Sequence, residues 1–297
     1  MRMQEIRFGI EIETILPRSK MAHAINSVVG GSVRHVGGVY DAWECTAIDG
    51  RKWKVVNDNS LSDAPYGSRA EIVSPILSYE DMNLLQEIVR AARREGAKVT
   101  RQCGCHVHID ASQFDGQKLA NFAKIYYKQE ELILHAFGVQ EARLQRYTRP
   151  MNADFIRNLE RIKPKTKDEL NRIWYGYHNT NPQHYDQSRY QVVNFHNVWF
   201  RGTVEIRLFE STTHAGCIKS YVQFALALAA KALNSRAASS KRRDFNSNCA
   251  KYQFRCFLLS LGLIGDEFKT ARYHLLKNMP GDAAWKNGRP QVAEAVN

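Results

Sequence analysis

Phe8-Gly9-Ile10-Glu11-Ile12-Glu13 alternates apolar and acidic residues. In an extended strand, side chains two positions apart share a face. Glu11 and Glu13 therefore point one way while Phe8, Ile10 and Ile12 point the other. Alone, such a segment is an ordinary half-buried strand with its wet face outward. Three more segments repeat the pattern. His106-Val107-His108-Ile109 sets two imidazoles opposite its aliphatics. Thr203-Val204-Glu205-Ile206-Arg207-Leu208 sets Glu205 and Arg207 opposite Val204, Ile206 and Leu208. Arg69-Ala70-Glu71-Ile72-Val73 sets Glu71 opposite Ile72. With 53–56 and 191–195, the stretches 7–13, 70–73, 103–110 and 203–209 are the predicted strands.

Helical periodicity appears between them. A helix is expected after Ser78, whose capping partner is Asp81, with Met82, Leu85, Val89 and Ala92 on one stripe and a stop at Gly96. A second is expected over 117–137 and a third after Gly216, lined by Ile218, Val222, Ala225 and Ala229. No regular βαβ rhythm runs through the chain. The expectation is an α+β fold, with a curved and mainly antiparallel sheet carrying helices on one face. No internal repeat and no Gly-rich phosphate loop of the GxxxxGKS kind occurs.

The 297 residues are 44% hydrophobic and 24% charged, which excludes a disordered chain or a disulfide-packed miniprotein. A composition break falls near Asn234. It suggests a catalytic unit over 1–234 and a basic linker with a small helical appendage over 235–297. From 231 to 256 there are seven Lys or Arg against one Asp, half of the net charge of +12. This excess favours an anionic partner. The first residues lack a signal-peptide core, and the apolar run at 221–233 is too short for a membrane span. With six cysteines read as reduced thiols, the expectation is a cytoplasmic protein that does not engage a membrane.

If the four strands share a sheet, one face collects four carboxylates, two imidazoles and a guanidinium. Carboxylates within a few ångströms repel unless cations lie between them. Hard divalent ions such as Mg²⁺ take oxygen ligands and bring phosphates with them, and Glu205-x-Arg207 suits a metal ligand beside a cation aimed at a phosphate. Two other readings are open. Cys103, Cys105, His106 and His108 could form a zinc site of a hydrolase, although strand parity turns the two cysteines away from the two histidines. The run Lys241-Arg242-Arg243 could bind nucleic acid through phosphates, or be a solvated linker.

Five motifs then follow in order: Phe8-Gly9-Ile10-Glu11-Ile12-Glu13, Asp58-Asn59-Ser60-Leu61, Glu71-Ile72-Val73-Ser74-Pro75, Cys103-Gly104-Cys105-His106-Val107-His108, and Thr203-Val204-Glu205-Ile206-Arg207-Leu208-Phe209. Together, over about residues 5 to 230, they resemble the amidoligase family of carboxylate–amine ligases, related in fold to glutamine synthetase and glutamate–cysteine ligase. The resemblance implies an ATP- and Mg²⁺-dependent ligase that forms an amide or isopeptide bond through an acyl phosphate. It implies that Glu11, His106 and Glu205 hold one Mg²⁺ and that Glu13 and Glu71 hold another. Arg207, Glu205 and Glu71 are its catalytic candidates, with Arg207 stabilising the transferred phosphoryl group. Arg189, Asn194 and His108 would contact nucleotide, phosphate or substrate. Small-molecule, peptide or protein carboxylates and amines are the implied substrates, and the tail beyond Asn234 lies outside the resemblance.

Overall fold

The strand nuclei assemble into one eight-stranded sheet in the computed structural model, which describes residues 1–146 and 148–288. The chain runs β1 (Phe8–Ile15), α1 (Arg18–Val29), β2 (Ser32–Gly37), β3 (Ala42–Thr46), β4 (Lys52–Val56), β5 (Arg69–Val73), α2 (Met82–Arg94), β6 (Gly104–Asp110) and α3 (Gly116–Phe137). It continues through α4 (Glu141–Arg146), α5 (Ala153–Ile162), α6 (Lys167–Tyr175), β7 (Val193–Asn194), α7 (His196–Phe200), β8 (Thr203–Glu210), α8 (Ala215–Asn234), α9 (Ala250–Ser260) and α10 (Lys269–Leu276). The sheet order is β2-β3-β4-β5-β1-β6-β8-β7, with every strand pair antiparallel. The fold is α+β, as the strand and helix patterns indicate.

Period-two alternation decides which face is covered. Trp53, Val55, Ala70, Ile72, Ile10, Ile12, Cys105, Val107, Ile109, Val204 and Ile206 are buried on the apolar face. Against it α1 packs on β2 to β5, α8 on β6 and α3 on β8, while α2 fits between α1 and α8. Removing one of these fully buried isoleucines would cost about 2–5 kcal/mol, since the cavity left behind adds to the lost transfer energy. The other face of β1, β5, β6 and β8 is left to polar side chains.

Beyond Asn234 the chain runs in an irregular segment to α9 and α10. Gln117 Nε2 and Asn121 Nδ2 donate to the carbonyls of Arg236 and Ser235, and Arg243 N–H to that of Lys128. Phe254, Phe257, Leu258, Ala271 and Leu275 join the same hydrophobic core as the sheet. Residues 289–297 of the expected appendage lie outside the described residues.

Several elements depart from the sequence expectations. Helix α1 and strands β2 and β3 were not foreseen, and β7 is two residues long where 191–195 was expected. Its neighbours are claimed by other structure: a single-turn helix ends at Arg189 and α7 begins at His196. Among the described residues, no helix is long and apolar enough to cross a membrane.

Candidate active site

Strand register brings the acidic positions together. Glu11 lies opposite His106 and Glu13 opposite Glu71. His108 lies opposite Glu205. Between β6 and β8 the register shifts between Cys105 and Val107, where β8 carries one extra residue. Leu208 and Phe209 are consequently both fully buried. Such bulges bend a strand and re-aim its side chains. Here the strand bends beside Arg207, whose Nη1 donates to Glu205 Oε1 at 2.5 Å.

The imidazoles sit among carboxylates. His106 Nδ1 is 3.2 Å from Glu11 Oε2 and 3.6 Å from Glu205 Oε1, and its Nε2 is 3.7 Å from Glu13 Oε1. His108 Nε2 is 3.3 Å from Glu11 Oε2. Two sets, Glu11 with His106 and Glu205, and Glu13 with Glu71 and His106, each place one ligand atom per residue within 4.8 Å of the others. Carboxylate oxygens with a single imidazole nitrogen form a donor set suited to a hard divalent cation.

Charge distribution supports this. Burial pushes Glu13 up to about 8, with Asp58 adding repulsion against the Gly104 N–H that donates to it at 2.6 Å. Burial and the charges of Glu11 and Glu13 hold Glu71 well above the usual carboxylate range. Glu205 behaves oppositely. Burial would raise it, but Arg207, His108 and His106 hold it down to about 2. His106 falls to about 4, through burial and the Arg207 charge, and so presents a neutral ring. Burial and mutual repulsion therefore disfavour the ionised forms of Glu13 and Glu71, and a cation beside them would relieve both.

A cavity of about 710 Å³ opens over this wall. Glu11, Glu13, Glu71, His106, His108, Glu205, Arg207 and Arg189 all line it, as do Asp58 and Ser60, where Asp58 Oδ1 accepts from Ser60 N–H at 2.7 Å. Arg189 sits at the rim, donating to the His184 carbonyl at 2.8 Å with its guanidinium over the Tyr190 ring. Asn194, opposite Glu205 in the register, is fully buried and does not line the cavity. Its Nδ2 donates to Glu205 Oε2 at 2.7 Å, so it holds a carboxylate of the wall. Asn197 joins it on the same oxygen at 2.6 Å.

The four-ligand zinc reading of Cys103, Cys105, His106 and His108 does not form. Cys105 is fully buried on the opposite face, and Cys103 Sγ accepts from Thr100 N–H at 3.4 Å. In the basic run, Arg242 is engaged, 3.3 Å from Glu130 Oε2 and 3.4 Å from Glu131 Oε1.

Other side chains were not foreseen from sequence. Lys54, Arg143 and Arg201 add three cations to the cavity lining. Arg201 Nη1 is 3.1 Å from Glu11 Oε1. Arg143 Nη2 donates to the Arg207 carbonyl at 3.3 Å, while the Nε atoms of Arg143 and Arg207 are buried without a partner. Arg143 and Arg201 lie on a short helix and in a turn, where no periodicity fixes direction. Lys54 alternates with Trp53 and Val55, and that parity was the available signal.

A carboxylate-lined face of an antiparallel sheet, rimmed by guanidiniums, is a scaffold for binding cations together with anionic ligands. The chain belongs to the amidoligase family: residues 4–229 match the family described as "Putative amidoligase enzyme". Among solved structures, a bifunctional glutathione synthetase from Pasteurella multocida is similar at 13% identity and a TM-score of 0.40. The match covers 93% of this chain and 47% of that one, so the chain spans about half the length of that protein. No curated protein matches the sequence.

Proposed function

We propose that the protein is an ATP- and Mg²⁺-dependent ligase joining a carboxylate to an amine through an acyl phosphate. Family membership supports the ligase class. One observation carries the cofactor reading: Glu11, His106 and Glu205 bring ligand atoms within 4.8 Å of one another beside the partnerless Nε of Arg207. Glu11, His106 and Glu205 would hold one ion, and Glu13 and Glu71 the other. Bound Mg²⁺ would neutralise phosphate charge and fix the direction of the terminal phosphoryl group.

The chain's own residues do the rest. Arg207 is fixed by Glu205, which is itself held by Asn194 and Asn197. A guanidinium anchored on one edge keeps its remaining N–H groups for phosphoryl oxygens, and that preorganisation is where such enzymes gain rate. The substrate carboxylate oxygen forms a bond to the terminal phosphorus as the bond to the ADP oxygen breaks. The amine nitrogen then adds to the acyl carbon, gives up a proton to solvent, and inorganic phosphate leaves as the acyl carbon–oxygen bond breaks. Lys54, Arg143, Arg189 and Arg201 supply the positive surface that an anionic nucleotide and a carboxylate require. The cytoplasm, with its ATP supply, is the compartment this chemistry fits.

Thermal unfolding with ATP-γ-S, with and without Mg²⁺, tests the reading. Ligand at about a hundred times its Kd adds about 2.7 kcal/mol, a rise of several degrees. The rise should require Mg²⁺ and vanish in Glu205→Gln. A wild type that gains nothing from saturating nucleotide and Mg²⁺ refutes the proposal.

A further inference from the structure

Away from the cavity, three metal-ligating side chains converge where the C-terminal helices meet the catalytic sheet's own helix. His214 is the N-cap of α8, Cys217 lies in its first turn, and His274 comes from the last turn of α10. One ligand atom from each falls within 4.8 Å of the others. Cys217 Sγ is 3.4 Å from His274 Nδ1. A sulfur and a nitrogen sharing one tetrahedral zinc stand about 3.5 Å apart, from bond lengths of about 2.3 and 2.0 Å. That pair already has the spacing of two ligands on one ion.

A second feature clears the space. Gly216 has no side chain, and a Cβ there would lie 2.9 Å from His274 Nε2 and 3.0 Å from His214 Cε1. Glycine at this position lets the two imidazoles approach across the helix start. None of the three lines the acidic cavity.

We propose that His214, Cys217 and His274 form a second metal centre, selective for a borderline divalent transition ion such as Zn²⁺, which clasps α10 to the start of α8. Two imidazoles and a thiolate are ligands of that class, whereas Mg²⁺ prefers the carboxylate-rich sets of the cavity. Binding releases the Cys217 thiol proton to solvent. His214 Nδ1 now accepts the Cys217 N–H at 3.2 Å, so coordination through that nitrogen exchanges the helix cap for a metal bond. His214 is exposed, and solvent can fill the fourth position. The centre would thus join two segments distant in sequence, one of them outside the matched residues 4–229. It is independent of the ligase reading, since it needs neither nucleotide nor the cavity carboxylates.

Cobalt(II) is the probe, titrated into the full chain with excess Mg²⁺ present. The expected result is one equivalent giving a thiolate-to-cobalt charge-transfer band with the visible bands of tetrahedral cobalt. The band should disappear in Cys217→Ser and in His274→Gln and persist in Glu205→Gln. Zn²⁺ should displace the cobalt and raise the wild type's Tm, but leave that of Cys217→Ser unchanged. His214→Gln, at an exposed position, provides a ligand deletion that leaves the packed core intact and should also lose the band. No thiolate band in the wild type, a band surviving Cys217→Ser, or one that requires Glu205 would overturn the proposal.

Discussion

Glu71 and Glu205 are separated by two strands of the same wall yet have opposite electrostatic fates. Arg207 and two asparagine amides hold Glu205 as an anion, whereas Glu71 faces burial and other carboxylates. A raised carboxyl costs nothing below its unfolded value near 4.5 and progressively destabilises the fold as pH rises through its folded value. Glu71→Gln should therefore stabilise the metal-free protein at pH 8 by about 1 kcal/mol, with a smaller gain at pH 5. The same variant should lose part of the Mg²⁺-dependent Tm shift. Equal stability at both pH values would show that Glu71 carries no such penalty. Strand parity made the carboxylates of this wall, both imidazoles and Arg207 legible. The contact of Asn194 with Glu205 was not legible, because a two-residue strand has no alternation from which to read a side-chain direction.

At the scale of elements, regular apolar spacing decided what could be read. Helices α2, α3 and α8 show it, and their expected and observed extents agree closely. Helix α1 does not. Pro17 stands at its N-cap, and its first residue is Arg18, a cation placed against the helix dipole. Arg18 is tolerated because it reaches the carbonyls of Tyr66 and Arg69 and the carboxylate of Asp41, contacts that only the assembled fold supplies. Strand β2 is a mostly exposed edge, so its face selection left no apolar alternation.

Helix α3 offers a test of another element-level contact. Its Glu130 is 1% exposed, accepting from Met151 N–H at 2.7 Å and lying against Arg242 of the basic segment. Burial pushes it up to about 7 despite these partners. Its contribution is then complete below about pH 4.5 and is lost as pH rises through 7. Urea unfolding of the wild type should lose about 3 kcal/mol across that window relative to Glu130→Gln. The slope is the readout, since the amide also changes the contact with Arg242 at every pH. Parallel slopes for the two proteins would exclude this role for Glu130.

Over the whole molecule, the composition break at Asn234 falls where α8 ends, but the packing continues across it. Phe257 of α9 meets Phe224 of α8 edge-on at 6.5 Å between ring centroids. Tyr79 Oη donates to Glu267 at 2.5 Å and accepts from Gln223 at 2.7 Å. A chain ending at Asn234 would leave the outer faces of α3 and α8 bare, an apolar patch of the kind that aggregates. Truncation there should give insoluble or markedly destabilised protein. A soluble truncation with an unchanged Tm would show instead that 1–234 folds alone.

Gly104, already noted for the N–H it gives to Glu13, has a second effect through the side chain it lacks. A Cβ at that position would sit 2.2 Å from Arg143 Nη2. The guanidinium of α4 thus lies directly over Gly104 on the cavity face, in the space a methyl group would take. Gly104→Ala should consequently behave as a mutation of Arg143, with weakened anion binding and the strand itself intact. Two positions 39 apart in the chain are therefore coupled, because a side chain at one displaces the guanidinium at the other.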